Sequence, residues 1–88
     1  MPACRVTVVG PLGLHARAAA RFVRLAGRFR AGIQVARGDR RVDGKSILGL
    51  LLLSAARGTV LDISADGDDA EQAIGALRAL VDRGFEDA

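Results

Sequence analysis

The chain has 88 residues, 50% of them hydrophobic, so we expect one small domain over residues 1–88. Trp and Tyr are missing and Phe occurs three times, which argues against nucleic-acid binding by base stacking. A single cysteine, Cys4, excludes an internal disulfide. The chain start lacks a signal-peptide pattern, and the apolar run 47–53 is far shorter than the ~20 residues of a membrane span. We therefore expect a cytoplasmic protein.

Charge is distributed unevenly along the chain. The formal net charge is +3, but residues 1–57 carry eleven basic side chains against Asp39 and Asp43. Residues 58–88 carry Arg78 and Arg83 against eight acidic side chains. This asymmetry predicts an acidic partner for the N-terminal part, which is either nucleic acid or an acidic protein surface.

The first half of the chain predicts a strand, a helix and a hairpin. β-Branched residues over 4–9 favour a strand that Gly10-Pro11 ends. A helical pattern follows over 16–27, with one apolar face and with arginines on the other, at Arg17, Arg21, Arg24 and Arg28. Two short strands over 33–36 and 40–42 then flank Gly38-Asp39 as a hairpin.

The second half predicts a short helix, a strand and a longer helix. Ser46 is positioned to cap a helix over 47–53, in which we expect Leu50 and Leu53 to be core and some of Leu48, Leu51 and Leu52 to be exposed. A strand over 59–65 and a helix from Ala70 to Gly84, with acidic residues at its start, complete the chain. The pattern predicts an α+β sandwich, with helices on one face of a sheet.

His15, the only histidine, lies where an extended segment gives way to the first helix. The first turn of a helix has unpaired N–H groups and the positive end of the helix dipole, so it favours an anion. An imidazole there can accept and return a phosphoryl group, and Arg17 can pair with phosphate oxygens. The residues indicate a phosphohistidine site, although a lone histidine at a helix start can also be only a cap.

The stretch Gly13-Leu14-His15-Ala16-Arg17, followed by small residues and Phe22-Val23, resembles the active centre of the HPr phosphocarrier family. The resemblance implies a βαββαβα open-faced sandwich, with an antiparallel sheet of order 1-4-2-3 under three helices. It implies a carrier that is not an enzyme and uses no cofactor or metal. His15 would take a phosphoryl group from enzyme I and pass it to enzyme IIA domains of the phosphoenolpyruvate-dependent sugar phosphotransferase system. Arg17 and the backbone N–H groups of Ala16, Arg17 and Ala18 would hold the phosphate.

A second motif, Gly44-Lys45-Ser46, ends like a P-loop, but a P-loop needs glycine where Asp39 stands. The segment instead resembles the regulatory site of HPr proteins, which implies that Ser46 is phosphorylated by HPr kinase/phosphorylase. Phosphate there would disturb docking more than folding. The alternative is that Ser46 serves only as a helix cap.

Two residues depart from the HPr pattern. Ala18 stands where the family commonly has proline, and it adds one N–H donor in the first helical turn, available to the phosphate or to water. We therefore expect a longer-lived phosphohistidine than a proline would allow. Leu12 replaces a small polar residue and removes a side-chain hydrogen bond from the active centre.

The resemblance implies a monomer whose partners dock on exposed residues near His15, namely Arg21, Arg24, Ile47, Leu48, Leu51 and Leu52. One alternative is a regulatory carrier of the nitrogen-related phosphotransferase system. A more remote alternative is a small basic nucleic-acid-binding module, which the shortage of aromatic residues disfavours. One histidine and one cysteine form neither a metal-ligand set nor a catalytic triad, so we expect no metal site.

Overall fold

A computed structural model of the protein describes residues 1–86. Four strands and three helices follow the order β1 (Ala3–Thr7), α1 (Ala16–Ala26), β2 (Gly32–Arg37), β3 (Arg40–Asp43), α2 (Ile47–Leu52), β4 (Val60–Asp66) and α3 (Ala70–Asp82). All strand pairs are antiparallel, in the order β1-β4-β2-β3. The predicted α+β class, the element order and the strand order are confirmed. Within residues 1–86, no helix has the length and apolar character that crossing a membrane requires.

The sheet register places one row of apolar side chains beneath the helices. Ile63 of β4 pairs with Cys4 on β1 and with Val35 on β2, and Val35 pairs with Val42 on β3. Because side chains alternate along a strand, this row and its neighbours two residues away face the same side. Ile63 and Val35 are fully buried, whereas polar residues such as Gln34 lie on the other, open face.

The core between sheet and helices is aliphatic apart from Phe22 and Phe85. α1 packs against both α2 and α3, which share no comparable contact with each other, so α1 is the middle helix of the layer. Its buried face is formed by small residues and one aromatic, Ala18, Ala19, Phe22 and Ala26. Within residues 1–86, no polar or charged residue is buried. The contacts of α1 with α2 and α3 fix where its N-terminus lies.

One strand end differs from the sequence-based expectation. β1 ends at Thr7, because Val8 bonds to a turn instead of to a strand: its N–H donates to Thr59 O (2.9 Å) and its carbonyl accepts from Gly58 N (2.7 Å). Asp69, the N-cap residue of α3, makes no side-chain capping bond there. Its carboxylate accepts the N–H groups of Arg30 and Ala31, both at 2.9 Å, and so joins the loop after α1 to α3.

Candidate functional site

His15 is the N-cap residue of α1, as predicted. Its backbone is extended (φ −81°, ψ 179°), and its carbonyl accepts the N–H of Ala19 at 2.9 Å. Its imidazole folds back over the first turn, where Nδ1 accepts the N–H groups of Arg17 (3.2 Å) and Ala18 (3.4 Å). The ring is half-buried. The imidazole therefore occupies the position where the helix offers N–H donors to an acceptor.

These contacts define the tautomer of the neutral imidazole. An Nδ1 that accepts hydrogen bonds carries the lone pair, so the proton of the neutral ring lies on Nε2. Ala16 N–H has no hydrogen-bond partner among residues 1–86. Ala18 N–H was expected to be available to phosphate or water, but in this resting arrangement the imidazole occupies it. It becomes available only when the ring moves.

A fixed loop delivers His15 to this position. Gly13 has φ +64°, and a Cβ there would lie 2.6 Å from Ala55 O and 2.9 Å from Ala56 Cα. The next residue, Leu14, donates its N–H to the same Ala55 carbonyl at 2.8 Å. Only glycine fits the backbone conformation and the space at position 13. The loop is thus held against residues 55–56.

His15 opens onto a cavity of about 360 Å³ whose walls come from both ends of the chain, Gly10, Pro11, Leu12, Gly13, His15, Arg17, Arg21, Gly84, Phe85 and Glu86. Leu12 is 76% exposed and contributes an apolar side chain to this wall. No sequence pattern indicates that residues 84–86 lie here. The sequence predicts Gly84 only as the end of the last helix. A local pattern does not indicate which distant residues such a helix end contacts.

The predicted arginines separate into two groups. Arg17 and Arg21 both line the His15 cavity, and Arg17 is exposed. Arg21 is half-buried, and its Nη1 donates to Phe85 O at 2.9 Å, which attaches the middle of α1 to the C-terminal segment. Arg24 is exposed and lies outside this cavity, in a groove between α1 and α3. Of the arginines predicted for the site, Arg17, Arg21 and Arg24, the structure therefore places the first two beside His15.

Ser46 is the N-cap of α2, as predicted, and its Oγ accepts Gly49 N–H at 3.0 Å. It does not line the His15 cavity. Beyond it, Leu50 and Leu53 are each 1% exposed, which confirms their assignment to the core. Some of Leu48, Leu51 and Leu52 were expected to be exposed, and all three are. Ile47 is exposed as well, and we call these four residues the leucine patch.

Two arginines of the β2–β3 hairpin hold the C-terminal end of α2. Arg37 Nη1 donates to the carbonyls of Leu53 and Ser54, both at 2.9 Å, and Arg40 Nη1 donates to Leu52 O at 2.6 Å. A helix C-terminus has unpaired carbonyls and a partial negative charge, which guanidinium groups satisfy. The sequence pattern does not predict this contact, because it joins residues 12 to 17 positions apart across a hairpin and a helix. Together they fix the position of the leucine patch.

The comparisons with known proteins agree with this architecture. A family model described as "PTS HPr component phosphorylation site" matches residues 3–83. The chain belongs to the HPr family. The phosphocarrier protein HPr of Pseudomonas aeruginosa is 42% identical over 88 residues, with 99% of this chain and 98% of that protein covered. The phosphocarrier protein NPr of Shewanella violacea is 40% identical, with 96% and 92% covered.

Solved HPr structures share the fold. HPr-C-His from Thermoanaerobacter tengcongensis superposes with a TM-score of 0.93 at 39% identity, over 100% of both chains. An HPr dimer from the same organism gives a TM-score of 0.78 at 44% identity, over 85% of this chain and 86% of that one. HPr proteins are phosphocarriers of the phosphotransferase system and are not enzymes. Among residues 1–86 there is no group of three His, Cys, Asp or Glu side chains that could hold a metal ion.

Proposed function

We propose that the protein carries a phosphoryl group on His15, from phosphorylated enzyme I to enzyme IIA domains of the phosphoenolpyruvate-dependent sugar phosphotransferase system. The observation that carries this proposal is the position of His15 Nδ1, which faces two N–H groups at the N-terminus of α1. Membership of the HPr family supports the carrier role. The chain supplies the acceptor atom and its surroundings, while the partners align the donor and the final acceptor.

The proposed transfer step uses the lone pair of Nδ1. The Nδ1 lone pair attacks phosphorus, a new N–P bond forms as the donor's P–N bond breaks, and the donor imidazole keeps the released electron pair. The proton on Nε2 stays in place. Since phosphorus must enter between Nδ1 and the N–H groups, the ring moves outward and the Arg17 and Ala18 N–H groups turn to phosphoryl oxygens. Contacts of 3.2 and 3.4 Å are long, so little is lost when they break.

The positive charge near His15 stabilises the phosphoryl group only moderately. Ala16 N–H is already free to accept a phosphoryl oxygen as partner, and the Arg17 guanidinium shares the cavity. Helix-terminus and exposed charge contacts contribute about 0.3–1 kcal/mol each. This weakness suits a carrier, because a strongly held phosphate would not move on to the next protein.

The leucine patch is the proposed docking surface for enzyme I and enzyme IIA. Leu48 is 68% exposed and Leu52 56% exposed, on a helix that packs directly against α1. Apolar side chains on one small surface, next to a charged site, are typical of a protein interface. Arg21 and Arg24 add positive charge along α1, which favours acidic partner surfaces.

Ser46 is the proposed regulatory site, phosphorylated by HPr kinase/phosphorylase. Its Oγ lies at the N-terminus of α2, where the helix dipole tolerates a phosphate. The leucine patch begins at the next residue, Ile47. A dianionic group beside this apolar surface would weaken docking without unfolding the helix.

A regulatory carrier of the nitrogen-related phosphotransferase system is the second candidate. The NPr of Shewanella violacea is nearly as similar in sequence as the HPr relatives are. Both candidates use the same phosphohistidine, so they differ only in the acceptor. Transfer from the phosphorylated protein to a sugar-specific IIA domain, compared with transfer to a nitrogen-related IIA protein, distinguishes them.

We further propose a cytoplasmic monomer that forms one HPr-like domain over residues 1–88. A similar solved HPr is a dimer, so the oligomeric state is best measured directly. Light scattering during gel filtration should give the mass of one chain. A stable dimer mass at micromolar concentration would contradict this part of the proposal.

Labelled phosphoenolpyruvate and enzyme I test the carrier role. The wild type should take up about one acid-labile phosphate, and His15→Ala should take up none. Ser46→Ala is the matched control, because it leaves the imidazole in place and should label fully. With HPr kinase and ATP the pattern should invert, giving acid-stable phosphate on the wild type and on His15→Ala only. Full acid-labile labelling of His15→Ala would refute the site.

A further inference from the structure

A basic groove runs between α1 and α3, and the proposed phosphoryl transfer makes no use of most of it. We call it the arginine groove, and its lining residues are Arg21, Arg24, Leu25, Arg28, Leu80 and Arg83. Since α1 is the middle helix, the groove lies on the α3 side of α1 and the leucine patch on the α2 side. A partner on the leucine patch therefore leaves the far end of the groove, at Arg28 and Arg83, open.

Three arginines of this groove, Arg24, Arg28 and Arg83, have no carboxylate partner among residues 1–86. Among residues 1–86, Arg24 and Arg28 lie within 4 Å of no carboxylate, and the ion pairs of that part are Arg5–Asp62 and Arg78–Asp82. Arg83 Nε donates only to a backbone carbonyl, that of Glu86, at 3.2 Å. Arg24 lies in the last turn of α1, and Arg28 and Arg83 lie just past the ends of α1 and α3, where the negative end of a helix dipole attracts positive charge. Their exposed guanidinium groups can also pair with a negatively charged partner.

Two leucines also line the groove, and their apolar side chains favour a protein partner over a nucleic acid. They are Leu25, which is half-buried, and Leu80, which is buried, while no aromatic side chain among residues 1–86 lines the groove for base stacking. We propose that the arginine groove docks an acidic amphipathic helix of a partner protein. Its carboxylates would pair with Arg28 and Arg83, and an apolar side chain would cover Leu25. This interaction goes beyond the proposed phosphoryl transfer and does not depend on it.

A synthetic helical peptide with glutamates at positions i, i+4 and i+7 and one leucine between them is a suitable probe. It is titrated into the ¹⁵N-labelled full chain and its affinity measured. Amide shifts should concentrate at the arginine groove. Arg28→Gln with Arg83→Gln should weaken binding about five- to tenfold, whereas the control pair Arg41→Gln with Arg57→Gln, which removes the same charge elsewhere, should change it less than about twofold.

Several results would overturn the proposal. Equal weakening by both variant pairs would mean unspecific attraction, and no measurable binding would mean no docking site. Tighter, groove-dependent binding of a single-stranded oligonucleotide would assign the groove to nucleic acid instead. His15→Ala should bind the peptide like the wild type, so this result stands even if the carrier role fails. Loss of peptide binding in His15→Ala would place the peptide at the His15 cavity and contradict the proposal.

Discussion

The backbone N–H of Ala18 lies 3.4 Å from Nδ1 of His15 and is one of two amides that face this atom. Proline at position 18 would lack this donor. Ala18 is itself fully buried, so its side chain contributes to the core while its N–H serves the site. The residue therefore links the packing of α1 to the chemistry of the imidazole.

Ala18→Pro should shorten the life of the phosphohistidine. Removing one N–H that can donate to a phosphoryl oxygen should speed hydrolysis about two- to fivefold, since such a contact contributes about 0.3–1 kcal/mol. The measurement is the decay of acid-labile phosphate at neutral pH. Ala18→Gly keeps the N–H and serves as the control, with a decay close to that of the wild type. Equal or slower hydrolysis in Ala18→Pro would contradict this role.

Gly13→Ala should destabilise the protein by about 2 kcal/mol or more, because the new Cβ would lie 2.6 Å from Ala55 O at a left-handed backbone position. Gly38→Ala is the matched control. Position 38 has a similar φ of +57° but no atom within 4 Å, so it should cost only about 1 kcal/mol. Urea denaturation measures both. Equal losses would mean that the contact with Ala55 does not fix the loop.

The local parts of the site could be predicted from the sequence, and the long-range parts could not. The N-cap position of His15, the helix that follows and the exposure of Leu48 and Leu52 depend on neighbours within a few residues. Arg21 bonds to Phe85, which is 64 positions away. Such a contact depends on how the helices stack, and no periodicity records it. Asp69 is a second example, because its carboxylate accepts N–H groups from Arg30 and Ala31, which are 39 and 38 positions away.

Asp69 should make the free energy of unfolding of the protein depend on pH in the acidic range. The N–H groups of Arg30 and Ala31, which donate to its carboxylate, lower its pKa from the usual value. A carboxyl whose pKa is lower in the folded state stabilises the protein fully above its unfolded pKa of about 4, and this contribution is lost as the pH falls through the folded pKa. Denaturation from pH 7 to pH 3 should show a smaller acid loss in Asp69→Ala than in the wild type.

Asp68→Ala is the control for this pH dependence, because Asp68 accepts no hydrogen bond among residues 1–86. It should retain the acid loss of the wild type. If Asp68→Ala flattened the profile as much as Asp69→Ala, the effect would come from overall charge and not from the bonds to Arg30 and Ala31.

Arg37→Ala with Arg40→Ala should loosen α2. Three hydrogen bonds to the last carbonyls of this helix would be lost, at a cost of about 1–2 kcal/mol, since water replaces part of each bond. Amide exchange should rise in α2 more than in α1 or α3. Arg41→Ala removes a neighbouring exposed charge and should leave α2 protected. Unchanged exchange in the double variant would show that packing alone holds the leucine patch.

The most direct test of the central claim is a long-range ¹H–¹⁵N spectrum of the His15 ring, recorded before and after phosphorylation by enzyme I and phosphoenolpyruvate. The account predicts an Nδ1 lone pair with the proton on Nε2 before the reaction. Afterwards it predicts ¹⁵N–³¹P coupling at Nδ1, together with shifted amide signals of Arg17 and Ala18. Phosphorus on Nε2, or amide signals of Arg17 and Ala18 that do not move, would contradict it.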